Sequence, residues 1–288
     1  MLPGMARKPR IAIVGPGRLG SALALALAGS GYQISEVIAR SSRPSLRKAA
    51  ALARRVRSRA VILSQAGLQC EIVWLCVPDR SIFSCARELA PLARWSGKVV
   101  FHSSGALTSD ELDPLRERGA AVASLHPLMT FVSRSTPSLH SVPFGVEGEA
   151  AAVRLARRVV ADLDGELFHV RSANKAAYHA WATLASPLLL ATLVTAEQAA
   201  RRAGISAASA RRKMLPIARQ TLANYAALGP AAAFSGPIIR GDAAIVRKHM
   251  SSFKDHPELR EAYRALALVA LRYLPARNRE ELKKALND

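Results

Sequence analysis

Lys175 and His179 stand four residues apart in the run SANKAAYHAW, a spacing that puts both on one face of a helix. An ammonium so placed can give a proton to a carbonyl oxygen as hydride reaches the carbon. An imidazole beside it can orient the substrate or relay the proton. The spacing equally suits a surface lysine next to a core-edge histidine, and by itself it does not choose. Farther along, FSGPIIRGDAAIVRKHM sets Arg240 in a turn marked by Gly236-Pro237 and Gly241. That guanidinium could clamp an anionic substrate or pair with Asp242, which also stands where a helix N-cap belongs.

Such residues need a scaffold that brings them to a cofactor, and the N-terminal part of the chain supplies one. RIAIVG reads as a short buried strand and GRLGSALALALAGSG as an apolar helix that stops at Gly29 to Gly31. Between them lies Gly15-Pro16-Gly17-Arg18-Leu19-Gly20, and a second strand, ISEVIA, follows about twenty residues later. Strand, GxGxxG turn, helix and strand in that order make a dinucleotide loop. Its glycines permit a tight turn, close pyrophosphate approach and close helix packing. At the end of the second strand an NAD site usually carries Asp or Glu for the ribose hydroxyls. This chain has Arg40, Ser41, Ser42 and Arg43 there. A guanidinium can hold a 2′-phosphate bidentately and an acid would repel it, so these residues favour NADP(H).

The alternation continues with AVIL, EIVWLCVPD, KVVFHSSGA and AAVASLHP, then PFGVEG and GELFHV around a helix near residues 149–163. The expected fold is α/β, a Rossmann-type doubly wound sheet followed by an all-α C-terminal domain. The domains fall at residues 8–170 and 171–288. Ligands of such a sheet lie beyond the carboxyl ends of its strands. That singles out Val77, Pro78 and Ser103 for the cofactor, and Ser104 and His126 for the substrate. From Ser172 onward the pattern is helical, with segments to Arg202, then over 207–227, 242–253 and 257–273.

Half of the 288 residues are hydrophobic, enough for a substantial core. Lys and Arg number 41 against 21 Asp and Glu, a net charge of +20. Eight of those cations lie between Arg40 and Arg59 with no acid among them. No helix-turn-helix, zinc finger or stacking-aromatic motif accompanies them, so they read as a solvated surface with a local phosphate site, not a nucleic-acid interface. The three cysteines fit no metal-ligand spacing and read as reduced thiols of a cytoplasmic protein. Residues 176–196 carry no formal charge and are long enough to span a bilayer. Their Ala, Thr, Ser186, Pro187 and His179 fit a buried helix at a domain or subunit interface better.

The strings GPGRLG, HSSGAL, LHPLMTF, KAAYHA and GPIIRGD, with the later His249, together resemble the Rossmann-like proteins whose C-terminal part is domain of unknown function 2520. The resemblance spans about Ile11 to His256. That family is similar in architecture to pyrroline-5-carboxylate reductases, ketopantoate reductases and β-hydroxyacid dehydrogenases. In the last two, a catalytic lysine on the first long helix precedes a polar substrate-binding residue by four positions, and Lys175 with His179 matches it, His replacing the more usual Asn. The resemblance implies an NADP-type oxidoreductase, commonly dimeric through the helical domain. Reduction of a small, anionic carbonyl or imine compound follows as the expected activity, ketopantoate being one candidate. Two departures stand out: Gln is common where Met129 stands, and Asn near Pro187. They leave a second expectation, a catalytically silent NADP-binding sensor or partner-binding protein.

Overall fold

The computed structural model describes residues 7–133 and 137–287. Eight short strands form one sheet: β1 (Ile11–Val14), β2 (Ile34–Ala39), β3 (Arg59–Ile62), β4 (Ile72–Leu75), β5 (Val99–His102), β6 (Ala121–Pro127), β7 (Pro143–Gly148) and β8 (Glu166–His169). All eight strand readings from the sequence correspond to these. Their order is β3-β2-β1-β4-β5-β6-β7-β8, parallel except for the antiparallel pair β6 and β7. A dinucleotide fold has that order over its first six strands.

Alternation along each strand explains the two layers of helices. Ile11 and Ile13 of β1, like Ile72 and Trp74 of β4, pack toward α1 (Arg18–Gly29), α2 (Arg43–Arg55) and α5 (Ala150–Ala161). Ala12, Val14, Val73 and Leu75 face the opposite layer, built from α3 (Ile82–Leu89) and the short α4 (Asp113–Arg116). With both faces covered, the central strands must be apolar on every residue, and β1, β4 and β5 are wholly buried.

The chain folds as two compact units, residues 1–183 and 184–288. The first unit holds the sheet and most of α6 (Lys175–Ala185). The second begins at the end of α6 and contains α7 (Pro187–Arg202), α8 (Ala207–Ala233), the short α9 (Pro237–Arg240), α10 (Ala243–Ser252), α11 (Pro257–Tyr273) and α12 (Arg279–Asn287). Its own core joins Val246 and Met250 of α10 to Ala267 and Leu271 of α11 and Leu282, Ala285 and Leu286 of α12.

Two sequence expectations need correction here. The helix expected to run unbroken to Arg202 is divided at Ser186, whose φ of −127° and ψ of −80° leave the helical region before Pro187 starts α7. A proline disfavours helical geometry in the residue before it, which accounts for the break. Nor is this apolar stretch buried within the chain. Leu184, Leu190 and Val194 are 63%, 61% and 45% exposed. By composition and length it is the one run among the described residues that could cross a membrane.

A buried carboxylate fastens the edge of the sheet. Glu36 of β2 takes the Arg59 Nε of β3 at 3.0 Å and the amides of Gly67 and Leu68 at 3.1 and 3.0 Å. Arg59 is mostly exposed, so the ion pair itself contributes little, and the two amides carry the interaction. Glu36→Ala is expected to lower the unfolding free energy by about 3 kcal/mol, read as a lower urea midpoint at unchanged slope.

Candidate active site

Two groups of residues gather at the carboxyl ends of the strands in the first unit. The first is a cavity of about 530 Å³ beyond β1, β2 and β4. Gly15, Pro16 and Gly17 line it from the β1 turn, Arg40 and Ser42 from the end of β2, and Val77 and Pro78 from the end of β4. The turn depends on its glycines. Gly15 has a φ of +101°, and a Cβ on Gly20 would lie 2.1 Å from the Gly15 carbonyl oxygen. The amides of the first turn of α1 have no side-chain cap, so the N-terminus of that helix is free to meet an anion.

Of the residues the sequence assigned to the cofactor, Ser41, Arg43, Arg18, Leu19, Gly20 and Ser103 do not line this cavity. Arg18 instead borders a neighbouring hollow of about 420 Å³ with Lys48 and Arg55. Leu19 packs against the core, and Gly20 is buried behind the turn. The Ser103 hydroxyl accepts a hydrogen bond from the Trp74 indole at 2.7 Å, which ties β5 to β4. Lys48, which lines both hollows from α2, was missed by the sequence reading. Its signal was available: it is the fourth of the eight cations in the acid-free basic run, five residues after Arg43 on the helix that follows β2. No ion pair reaches Arg40 or Lys48 among the described residues.

The second group surrounds Lys175, at the first turn of α6. Its side chain is 2% exposed, and its ammonium donates to the Ser124 hydroxyl of β6 at 2.6 Å and to the Ser104 carbonyl at 3.1 Å. Ser124 donates in turn to that same carbonyl at 2.9 Å. Two of the three ammonium protons are thereby held and one is left without a partner. Burial brings the Lys175 pKa down from 10.5 to about 8, against the pull of Glu147 and Asp79.

The loop after β5 is fixed from several sides. His102 accepts the Ser104 amide at Nδ1, 3.1 Å away, and its Nε2 lies 2.8 Å from the Thr108 carbonyl, which assigns the proton to Nε2. Burial holds the His102 pKa down at about 4, so the ring is neutral. The Ser104 hydroxyl donates to Asp79 at 2.8 Å and accepts the amides of Ala106 and Leu107. Glu147 of β7 takes the Ser109 amide and hydroxyl and the Ser172 hydroxyl, the last at 3.0 Å. One carboxylate thus joins the β5 loop to the start of α6, where Lys175 sits.

Beside the ammonium lies an aromatic cluster. His126 Nδ1 is 2.7 Å from the Tyr178 hydroxyl, and burial, followed by the Lys175 charge, lowers the His126 pKa to about 4. The His126 and His179 rings are 6.4 Å apart, and a Cβ on Gly105 would fall 2.8 Å from His179 Cδ2. Ser104, His126, Lys175 and His179 are therefore brought together, as the sequence reading required. His179 is the exposed member. Ser124, Glu147, Asp79 and Tyr178 join them without having been assigned roles from the sequence. Tyr178 lies between Lys175 and His179 in the same helical run, and the other three are single polar residues in apolar strands or at their ends, which composition does not mark.

Arg240 lies in the second unit, and of its two sequence readings the pairing is present: its Nε meets Asp242 at 2.9 Å. Asp242 occupies the N-cap position of α10, but its carboxylate makes no cap hydrogen bond. His249 Nδ1 contacts the Tyr263 hydroxyl at 2.9 Å. Met129 is 40% exposed.

Family comparison covers most of the chain in two matches. A Rossmann-like domain matches residues 4–127, and a domain of unknown function (DUF2520) matches residues 142–270. The chain is a Rossmann-like protein with a DUF2520 domain. Among solved structures, the protein TM1727 from Thermotoga maritima is 22% identical, with a TM-score of 0.71 over 95% of this chain and 98% of that one. BF3122 from Bacteroides fragilis, described as a candidate NADP oxidoreductase, is 19% identical, with a TM-score of 0.75 over 91% and 97%. An imine reductase from Myxococcus stipitatus in complex with NADP+ is 16% identical, with a TM-score of 0.65 over 97% and 100%. At these identities the likeness shows the shared fold. No curated protein matches the sequence.

The Lys175 pKa sets a sign for stability. The unfolded lysine holds its proton to about 10.5 and the folded one to about 8, so between those values the unfolded state binds more protons and rising pH favours folding. Below pH 8 the full penalty is present. The stability of the native protein relative to Lys175→Met is therefore expected to rise by about 3 kcal/mol between pH 8 and 10.5, measured by urea unfolding of both proteins across that range.

Proposed function

We propose that this protein is an NADPH-dependent reductase of a small, anionic carbonyl or imine compound. The observation that carries the reading is the buried ammonium of Lys175, brought to a pKa of about 8 at the strand ends, in the same unit as a nucleotide cavity that has Arg40 rather than an acid at the end of β2. A proton donor works best when its pKa lies near the working pH, and burial without a directly paired carboxylate produces that here.

The residues present fit the cofactor. Gly15, Pro16 and Gly17 with the free amides of α1 would hold the pyrophosphate, Arg40 with Ser42 and Lys48 the 2′-phosphate, and Val77 and Pro78 the nicotinamide side. The bound cofactor would supply the hydride. Lys175 supplies the proton: as the substrate carbon gains hydride, its oxygen or nitrogen takes a proton from the ammonium, which is left as a neutral amine and is reprotonated from solvent. Ser124 and the Ser104 carbonyl aim the ammonium, and Glu147 and Asp79 keep it from losing its proton too early. His126, held neutral and oriented by Tyr178, and the exposed His179 offer imidazole donors to the substrate.

The alternative, a silent NADP-binding sensor, draws support from the same lysine, since at 2% exposure two of its three protons are already committed within the protein. Steady-state assays separate the two. With a panel of 2-oxo acids and cyclic imines, the reductase reading expects NADPH oxidation that falls tenfold per pH unit above about pH 8, and a loss of about 100-fold or more in Lys175→Met with NADPH affinity unchanged. Binding without turnover across the panel would establish the sensor. NADPH is expected to bind at least tenfold more tightly than NADH, with Arg40→Ala removing most of that preference.

The second unit supports a homodimer. Leu190 and Val194 of α7, with Ile217, Leu222, Tyr225 and Leu228 of α8, leave apolar side chains between 45% and 68% exposed. Two adjacent helices bearing that much uncovered apolar surface are best covered by a second copy. Light scattering is expected to give twice the 30.8 kDa chain mass, falling to one chain in Leu190→Glu/Ile217→Glu.

A further inference from the structure

The second unit carries a basic hollow of its own. A cavity of about 350 Å³ lies where α10, α11 and α12 meet, lined by Arg247, Met250, Ser251, Lys254, Arg260 and Ala285. Arg247 and Ser251 stand four residues apart on one face of α10, and Lys254 follows in the turn just past its C-terminus. Arg260 approaches from α11, while Met250 and Ala285 belong to the buried core beneath. No Asp or Glu lines the cavity.

Within this unit Arg211 pairs with Glu197, Arg240 with Asp242, Lys283 with Glu280 and Lys284 with Glu281. None of the described ion pairs reaches Arg247, Lys254 or Arg260. The Arg260 Nε is moreover fully buried and has no hydrogen-bond partner. Three cations drawn to one hollow repel each other, and a buried guanidinium N–H without an acceptor, a state shared by Arg10 and Arg116 outside the cavities, costs its desolvation. Both are relieved by one event, the arrival of an anion rich in acceptor oxygens. A guanidinium offers paired N–H groups to such an anion, and a lysine and a serine hydroxyl add further donors.

We infer that this cavity is a second binding site, separate from the nucleotide cavity, for the phosphate group of a small phosphorylated metabolite. Arg260 and Arg247 grip the phosphate, Lys254 balances its remaining charge, Ser251 donates to it, and Met250 with Ala285 forms an apolar floor for the carbon portion. The volume lies in the range of small-molecule sites, roughly 300–1,000 Å³, and its concavity favours a compact anion over an extended backbone.

Inorganic pyrophosphate, titrated calorimetrically into the full-length protein already saturated with NADPH, tests this. One equivalent is expected to bind, at least tenfold more weakly in Arg260→Ala and in Arg247→Ala/Lys254→Ala, but equally well in Arg87→Ala, an exposed cation of α3 outside both cavities. The double variant alters only exposed side chains, so it answers even if Arg260→Ala fails to fold. Binding that persists in the double variant overturns the inference, whether or not NADPH occupies the first cavity. So does equal weakening in Arg87→Ala, which would mean attraction by net charge alone. A single-stranded oligonucleotide that binds more tightly than pyrophosphate, with steep salt dependence, would overturn it in favour of a nucleic-acid surface.

Discussion

One buried positive charge organises the strand-end site. An ammonium at 2% exposure must be solvated by the protein itself, and Lys175 obtains this from a hydroxyl, a carbonyl and the field of two carboxylates set back from it. A carboxylate in direct contact would have held the lysine firmly in its charged form. Standing off, Glu147 and Asp79 spend their hydrogen bonds on Ser109, Ser172 and Ser104 and act on the ammonium only through space. The same charge determines the state of its neighbours. His102 and His126 both lie within its field and are desolvated, so both remain neutral, and His102, bonded at both ring nitrogens, is held in one tautomer.

The nucleotide cavity follows the opposite logic. Its cations are exposed, its anchoring groups are backbone amides, and its shape comes from what two glycines leave out. Backbone amides bind phosphate with no side-chain entropy to lose, and exposed cations lose little solvation until a ligand arrives. The sheet makes both sites possible at once. In a parallel sheet of order 3-2-1-4-5-6 the carboxyl ends of β1, β2 and β4 and those of β5 and β6 open on the same edge, so the two sites belong to one rim.

Much of this was legible in the sequence because it is local. Each strand is a run of four to seven residues with its own apolar signature, and the GxGxxG turn with its flanking elements occupies a single short stretch. Arg40 was legible for the same reason, standing at the end of a recognisable strand. The supporting polar residues were not. Ser124 meets Lys175 across 51 residues, Glu147 meets Ser109 across 38, and Ser104 meets Asp79 across 25. A lone Ser in AAVASLHP or a Glu in PFGVEG has no pattern until strand pairing brings it opposite its partner. The exposure of α7 was hidden for a different reason. Apolar composition marks a surface that needs covering, without saying whether the cover is the same chain.

The net charge of +20 becomes interpretable through the same distinction between paired and unpaired groups. Arg59 is paired with Glu36, and Arg116 with Asp110, Asp113 and Glu149. Arg211 and Arg240 are tied likewise within the helical unit. Cations that meet no acid include Arg40 and Lys48 at one cavity and Arg247, Lys254 and Arg260 at another. A solvated face would scatter its excess over convex surface, where water screens each charge separately. Unpaired cations at concave sites instead reinforce one another's field where an anion would sit. At those two hollows, that reinforcement favours a phosphate-bearing small molecule, the class of ligand proposed for both.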